Sequence, residues 1–190
     1  EGVFDKGDLQ MHQCVGYTDF ALKKFFESSK NSDWFDDTIF IFTADHGNQT
    51  FYPFYKKMVN RFANPLMIYK PNSNLVGVDN RLASHMDIFP TVADLIDYPK
   101  PFRSWGRSLV SDNTTEPFVV NYFSGGSYFI MDEKYICVHN GFEAIGFYEL
   151  NDKNFENNII DQKNQLMVDL EKKCSLFLEN YFNTLMASKN

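Results

Sequence analysis

Thr38-Ile39-Phe40-Ile41-Phe42-Thr43-Ala44-Asp45-His46-Gly47 is the stretch on which the fold turns. Residues 38–43 are apolar, β-branched or aromatic without a polar break. A run with no alternation reads as a strand buried on both faces, as in a parallel sheet. In open parallel sheets, ligand sites lie just beyond the carboxyl ends of the strands, which is where Asp45 and His46 fall. Asp45 offers a hard oxygen and His46 a borderline nitrogen, a pair that suits Zn²⁺ or Mn²⁺ better than Ca²⁺. Gly47 lets the backbone turn sharply after them. The alternative is an Asp capping the next segment beside a hydrogen-bonded His, and the pair by itself leaves both readings open.

Pro65-Leu66-Met67-Ile68-Tyr69 reads as a second buried strand of the same sheet. The loop between the strands, 45–64, is polar and aromatic. Asn48, Gln49 and Thr50 are the polar residues nearest Asp45 and His46 and would line a site there, although a strand-end loop is polar in any case. Arg61 is the only Arg in this loop. Its guanidinium would either pair with a substrate oxyanion or brace the loop. Before the first strand, Met11, Cys14, Val15, Leu22, Phe25 and Phe26 fall at helical spacing and predict a helix over 11–29 with one buried face. Lys23, Lys24 and Glu27 take its wet side. After the second strand, apolar residues at 86, 89, 92, 93, 95 and 96 predict a helix over about 86–97. Asp87 is its expected N-cap and Pro90 sits in its first turn. Both helices are expected to pack on the sheet.

After Ser111-Asp112-Asn113-Thr114-Thr115 the grammar changes. Short strands are expected at about 118–123, 127–131, 134–139 and 144–149, joined by turns in an antiparallel meander. In the tail, 162–187, Leu166, Leu170, Cys174, Phe177, Leu178, Tyr181 and Leu185 form one amphipathic stripe. Its polar face carries Asp169, Glu171, Lys172, Lys173 and Glu179, without the basic excess of a helix lying on a membrane. The chain is therefore divided into 1–110, the C-terminal half of an α/β domain, and 111–190, antiparallel strands plus a helix packed on the same domain. A crossover helix at 11–29 requires a strand before it, and Glu1-Gly2-Val3 reads as the interior of something longer.

Lys plus Arg is 18 and Asp plus Glu is 25, a net charge of −7 over 190 residues. An acidic chain is a poor general binder of nucleic acid, and no stretch reaches the roughly 20 apolar residues of a membrane span. With 44% hydrophobic residues and 20 Phe, the chain has ample material for a core. Cys14, Cys137 and Cys174 form no C-x-x-C pair and read as buried free thiols. His12 and His139 read as structural or solvent-facing, and His85 as a core or hydrogen-bonded residue.

Taken together, these motifs resemble a family. Thr43-Ala44-Asp45-His46-Gly47 after an apolar strand is similar to the metal-binding motif of the sulfatase and alkaline-phosphatase superfamily. Tyr17-Thr18-Asp19-Phe20-Ala21-Leu22 with Phe25-Phe26 resembles the helix before that strand in lipoteichoic-acid synthases and their sulfatase-like relatives. Arg61-Phe62 with 65–69 resembles the returning strand, and Ser84-His85-Met86-Asp87-Ile88-Phe89-Pro90-Thr91 the helix signature. The likeness runs in order from about residue 7 to 110. The meander with Phe147-Tyr148-Glu149-Leu150 looks like the tail of bacterial phosphoglycerol-transferase-like members.

The resemblance implies an alkaline-phosphatase-like α/β fold and an enzyme that hydrolyses or transfers a phosphate or sulfate ester of a lipid or glycan. It implies a divalent metal (Mn, Zn or Ca) held in part by Asp45 and His46, with Arg61, Asn48 and Gln49 as candidate substrate contacts. The nucleophile, a Thr in the lipoteichoic-acid type and a modified Cys or Ser in sulfatases, is expected upstream. None of the three cysteines stands in a C-x-P-x-R setting. The chain alone is then expected to be inactive, and its unpaired sheet edge to promote self-association. By resemblance the parent is a bacterial membrane protein with this part outside the cytoplasm. Sulfate-ester hydrolysis and a non-catalytic module of the same fold are the alternatives.

Overall fold

The computed structural model describes residues 4, 6–9, 11–47, 51–111, 115–123 and 125–187. It is an α/β structure with two antiparallel sheets and a long C-terminal helix. The chain divides into two compact units, one of Glu1–Asn48 with Ala63–Val78, the other of Gln49–Phe62 with Asp79–Asn190. This division by compactness cuts across the one expected at 110/111.

The first unit holds helix α1 (Met11–Ser29) and strands β1 (Phe40–Thr43) and β2 (Leu66–Tyr69). The strands pair with each other, as expected, but antiparallel, with Phe40 opposite Tyr69 and Thr43 opposite Leu66. They are also half-buried rather than buried on both faces: exposed residues alternate along β2, and Thr43 is exposed. An apolar run reports that both faces are oily, not that both are covered, and strand direction leaves no mark in composition. α1 meets the sheet through rings in its last turns. The Phe26 ring lies 5.0 Å from Phe40, 6.0 Å from Phe42 and 5.9 Å from Tyr69, and Phe25 6.2 Å from Phe40. Four-residue strands span about 13 Å, whereas a 19-residue helix runs about 28 Å. So the sheet covers one end of the helix, Phe4 packs on Tyr17 and Phe20, and Cys14, Val15, Leu22 and Phe25 are exposed.

The second unit holds a short helix α2 (Pro53–Lys56), a 3₁₀ turn (Val59–Phe62), helix α3 (Ile88–Leu95), strands β3 (Val119–Tyr122), β4 (Tyr128–Met131), β5 (Tyr135–His139) and β6 (Ala144–Glu149), and helix α4 (Gln165–Ala187). The four strands form the meander read from the sequence, in the order β3-β4-β5-β6, all antiparallel. One face buries Ile130, Cys137, Ala144 and Phe147 against Met167, Leu170, Cys174 and Leu178 of α4. The other buries Phe129, Ile136 and Val138 with Val59, and Phe62 and Phe155 pack at its margin. Of the expected stripe, Leu170, Cys174 and Leu178 are buried, and Phe177 and Tyr181 pack with Trp105. The departures are at its ends: Met167 is fully buried in place of Leu166, which is 47% exposed, and Leu185 is also exposed. With Leu and aromatic residues at neighbouring stripes, helical spacing alone admits more than one apolar face.

α3 is preceded by a 3₁₀ turn (His85–Asp87); Asp87 stands at its N-cap position, as expected, but its side chain makes no cap bond to α3. Ser84 caps the 3₁₀ turn instead: its Oγ accepts Met86 N–H at 3.0 Å, and Asp87 Oδ2 accepts Ser84 N–H at 2.9 Å, a capping box. The other oxygen, Oδ1, accepts Arg107 N–H at 2.9 Å. A side chain on Gly106 would collide with the Met86 carbonyl, so only glycine lets the 106–109 segment come this close. Thr91 Oγ1 donates to Asp87 O at 2.6 Å and accepts Leu109 N–H at 3.0 Å. Ser108 Oγ donates to Asp94 Oδ2 at 2.6 Å.

Candidate functional site

β1 ends at Thr43, and the chain leaves the sheet through Ala44, Asp45, His46 and Gly47. Asp45 Oδ1 accepts the His46 backbone N–H at 2.8 Å. The other oxygen, Oδ2, lies 3.5 Å from His46 Nε2. His46 Nδ1 is 3.1 Å from Gly47 O. A hydrogen on Nδ1 donated to that carbonyl leaves the Nε2 lone pair beside Asp45 Oδ2. Both side chains are open to solvent, Asp45 at 87% and His46 at 73%. So the self-capping contact of the alternative reading is present, and it coexists with an oxygen and a nitrogen that converge at one point.

The donor set fits part of a divalent metal site. A carboxylate oxygen and an imidazole nitrogen on adjacent residues are the ligand types Zn²⁺ and Mn²⁺ take. Among the described residues no third His, Cys, Asp or Glu joins them to make a group of three.

Asn48, Gln49 and Thr50 lie outside the described residues. Arg61 sits in the 3₁₀ turn of the second unit and is exposed. Of the histidines, His12 accepts Asp8 N–H at 3.1 Å through Nδ1 and fastens the start of α1. His85 occupies the 3₁₀ turn before α3. His139 is fully buried. Its Nδ1 accepts Gly141 N–H at 3.0 Å, so Nε2 carries the hydrogen and donates to Ser175 Oγ at 3.2 Å. Burial holds the His139 pKa below its ordinary value, against the pull of Glu171 and Glu143. Cys137 and Cys174 are buried free thiols as expected, but Cys14 is exposed. Burial, reinforced by Glu171, pushes the Cys174 thiol up to about 12, and Cys137, beside Cys174, is pushed up as well.

Sequence reasoning passed over two features of the second unit. One is the Ser84–Asp87–Arg107 network, whose signal was the Ser-x-x-Asp spacing of a capping box. The other is a cleft of about 350 Å³ lined by Lys57, Glu149, Asn151, Asp152, Lys153 and Asn154 among others, for which spacing offers no signal.

Residues 10–98 match the family model described as Sulfatase, a span that contains α1, β1, Asp45-His46-Gly47, β2 and α3. Among solved structures, the chain is similar to a protein in the alkaline phosphatase superfamily from Vibrio parahaemolyticus, with a TM-score of 0.70 and 22% sequence identity. The match covers 97% of this chain and 44% of that one, so the chain spans less than half the length of its structural neighbour. No curated protein matches the chain. Residues 10–98 thus match the Sulfatase model, within a chain whose fold is similar to that of the Vibrio parahaemolyticus protein.

Proposed function

We propose that this chain, a sulfatase-type segment in an alkaline-phosphatase-like fold, is the C-terminal part of a metal-dependent enzyme that transfers or hydrolyses a phosphate or sulfate ester. Phosphoglycerol transfer of the lipoteichoic-acid-synthase type is the reading closest to its motifs, and it sets this part outside the cytoplasm of a bacterial membrane protein. No helix of the described residues is long and apolar enough to cross a membrane. The observation that carries the proposal is the convergence of Asp45 Oδ2 and His46 Nε2 at the end of β1, inside the matched segment. Asp45 and His46 would hold the ion. Gly47 O fixes the imidazole ring through Nδ1, a second contact of the kind that orients metal-ligating histidines. A divalent ion there supplies charge balance for the transferring oxygens and lowers the pKa of a bound nucleophile. The nucleophile and remaining ligands come, in this proposal, from sequence beyond these 190 residues, which makes the chain inactive by itself.

The test uses the full-length protein. Asp45→Ala is expected to lower turnover on the order of a thousandfold or more and to lower bound metal, with unchanged far-UV circular dichroism. Near-wild-type activity and metal content would remove Asp45 from the site. Chromogenic phosphodiester, phosphomonoester and sulfate-ester substrates run in parallel separate transferase-type from sulfatase chemistry, the latter favoured by the description of the matching family model. Metal-dependent turnover by residues 1–190 alone would overturn the division of the site.

A further inference from the structure

Lys153 stands where two concavities of the second unit meet. It lines the cleft described above and also an adjoining depression of about 560 Å³ bounded by Lys134, Tyr135, Glu149, Leu150 and Asn151. Its backbone is fixed: the N–H donates to Asn151 O at 3.0 Å, and the carbonyl accepts Val59 N–H at 3.1 Å. That second bond ties the loop after β6 to the 3₁₀ turn at Val59, and it brings Lys57 to the same cleft.

The cleft contains carboxylates, yet Lys153 forms no ion pair among the described residues. Asp152 is already engaged, since its Oδ1 accepts Glu156 N–H at 3.1 Å and its Oδ2 accepts Asn157 N–H at 2.8 Å. Glu156 Oε1 accepts Asn154 Nδ2–H at 3.0 Å. Lys24, Lys163 and Lys173, by contrast, are paired, with Glu27, Glu171 and Glu116. Partial burial, and after it the positive charge of Lys57, hold the Lys153 pKa below its ordinary value. The half-buried ammonium therefore has a positive neighbour and no paired carboxylate, at the junction of two open depressions.

We propose that Lys153 is a covalent modification site that accepts acyl groups from activated donors, acyl phosphates or thioesters. The neutral Nζ lone pair attacks the acyl carbonyl and an N–C amide bond forms. The C–O or C–S bond breaks, its electron pair leaves with phosphate or thiolate, and the surplus proton on nitrogen passes to water. The product is a neutral amide, so the modification removes a charge that burial and Lys57 both disfavour. The same reaction at Lys163 would strip Glu171 of its partner. This proposal stands independently of the metal-site reading.

The probe is acetyl phosphate at limiting concentration and about pH 8, below the ordinary lysine pKa, with site occupancy read by peptide mass spectrometry. In the native chain Lys153 is expected to acetylate several-fold faster than exposed Lys100 and Lys172. Concentrated urea is expected to abolish the difference. Lys57→Gln, a change at an exposed side chain, is expected to slow Lys153 several-fold near pH 8 and to leave its rate unchanged at alkaline pH, where every lysine is a free amine. A native rate at or below that of Lys100 and Lys172 overturns the proposal. A preference that survives urea, or that ignores Lys57→Gln, overturns it too.

Discussion

Replacing Asp87 by Ala tests whether the approach to α3 is held by one carboxylate. The side chain is 5% exposed, and its two oxygens accept backbone N–H groups from Ser84 and Arg107, each at 2.9 Å. A hydrogen bond to a charged group contributes about 1.5–3 kcal/mol net, and a buried donor left unpaired costs about 1–3 kcal/mol. Arg107 is itself buried, so its N–H would be orphaned, whereas the Ser84 N–H lies at a half-buried position and reaches water in part. Asp87→Ala should therefore destabilise the chain by about 3–5 kcal/mol. Asp87→Asn keeps one accepting oxygen and turns an NH₂ toward the other donor, which should cost about half as much. Ser84→Ala removes only the cap, at about 1 kcal/mol. Urea denaturation followed by far-UV circular dichroism ranks the three. If Asp87→Ala lies within about 1 kcal/mol of wild type, or no worse than Ser84→Ala, the carboxylate is not the tie described.

Two further outcomes concern pH and thiols. Because the native His139 pKa is depressed, the unfolded chain binds a proton first as pH falls. The His139 contribution is then complete above the unfolded pKa of about 6.5 and is lost as pH drops from there through the lower native value. Melting temperatures from about pH 8 to 5 should fall in the lower part of that window, and His139→Gln should flatten the slope. An unchanged slope would contradict the buried neutral imidazole. With a disulfide-exchange reagent, Cys14 should react at once in the native chain and Cys137 and Cys174 only after denaturation; rapid reaction of all the thiols would place the α4 core differently.

Much of the second unit was legible in the sequence because turn chemistry brackets its strands. Asp132-Glu133 and Asn140-Gly141 lie between runs whose observed limits, Tyr135–His139 and Ala144–Glu149, agree with the reading to within a residue. What escaped depends on partners far along the chain. Met167 rather than Leu166 faces the meander because the sheet supplies Ile130, Cys137 and Phe147 at that place. Asp87 gives α3 no side-chain cap bond; its two oxygens accept the N–H groups of Ser84 and of Arg107, twenty residues on. The antiparallel pairing of β1 with β2 is invisible in two apolar runs of the same composition. Asp45 and His46 stand out as candidates because motif and strand end coincide. Whether they approach each other is set by the His46 N–H and Gly47 O contacts, which no spacing rule contains.

The Phe26 cluster also bears on the Asp45–His46 pair. A two-stranded ribbon is marginal by itself, and β1–β2 has the rings of Phe25 and Phe26 against it. Asp45 and His46 extend directly from this ribbon, so the local contacts that bring them together are held at a fixed place in the fold only in molecules in which the ribbon is formed. A protein that binds an ion only in its competent state shows an apparent Kd equal to the intrinsic one divided by that fraction. Under the proposed metal role of Asp45 and His46, Phe26→Ala, a change without any donor atom, would then register as weaker metal binding, with the strength of that site set by aromatic packing at the end of a helix.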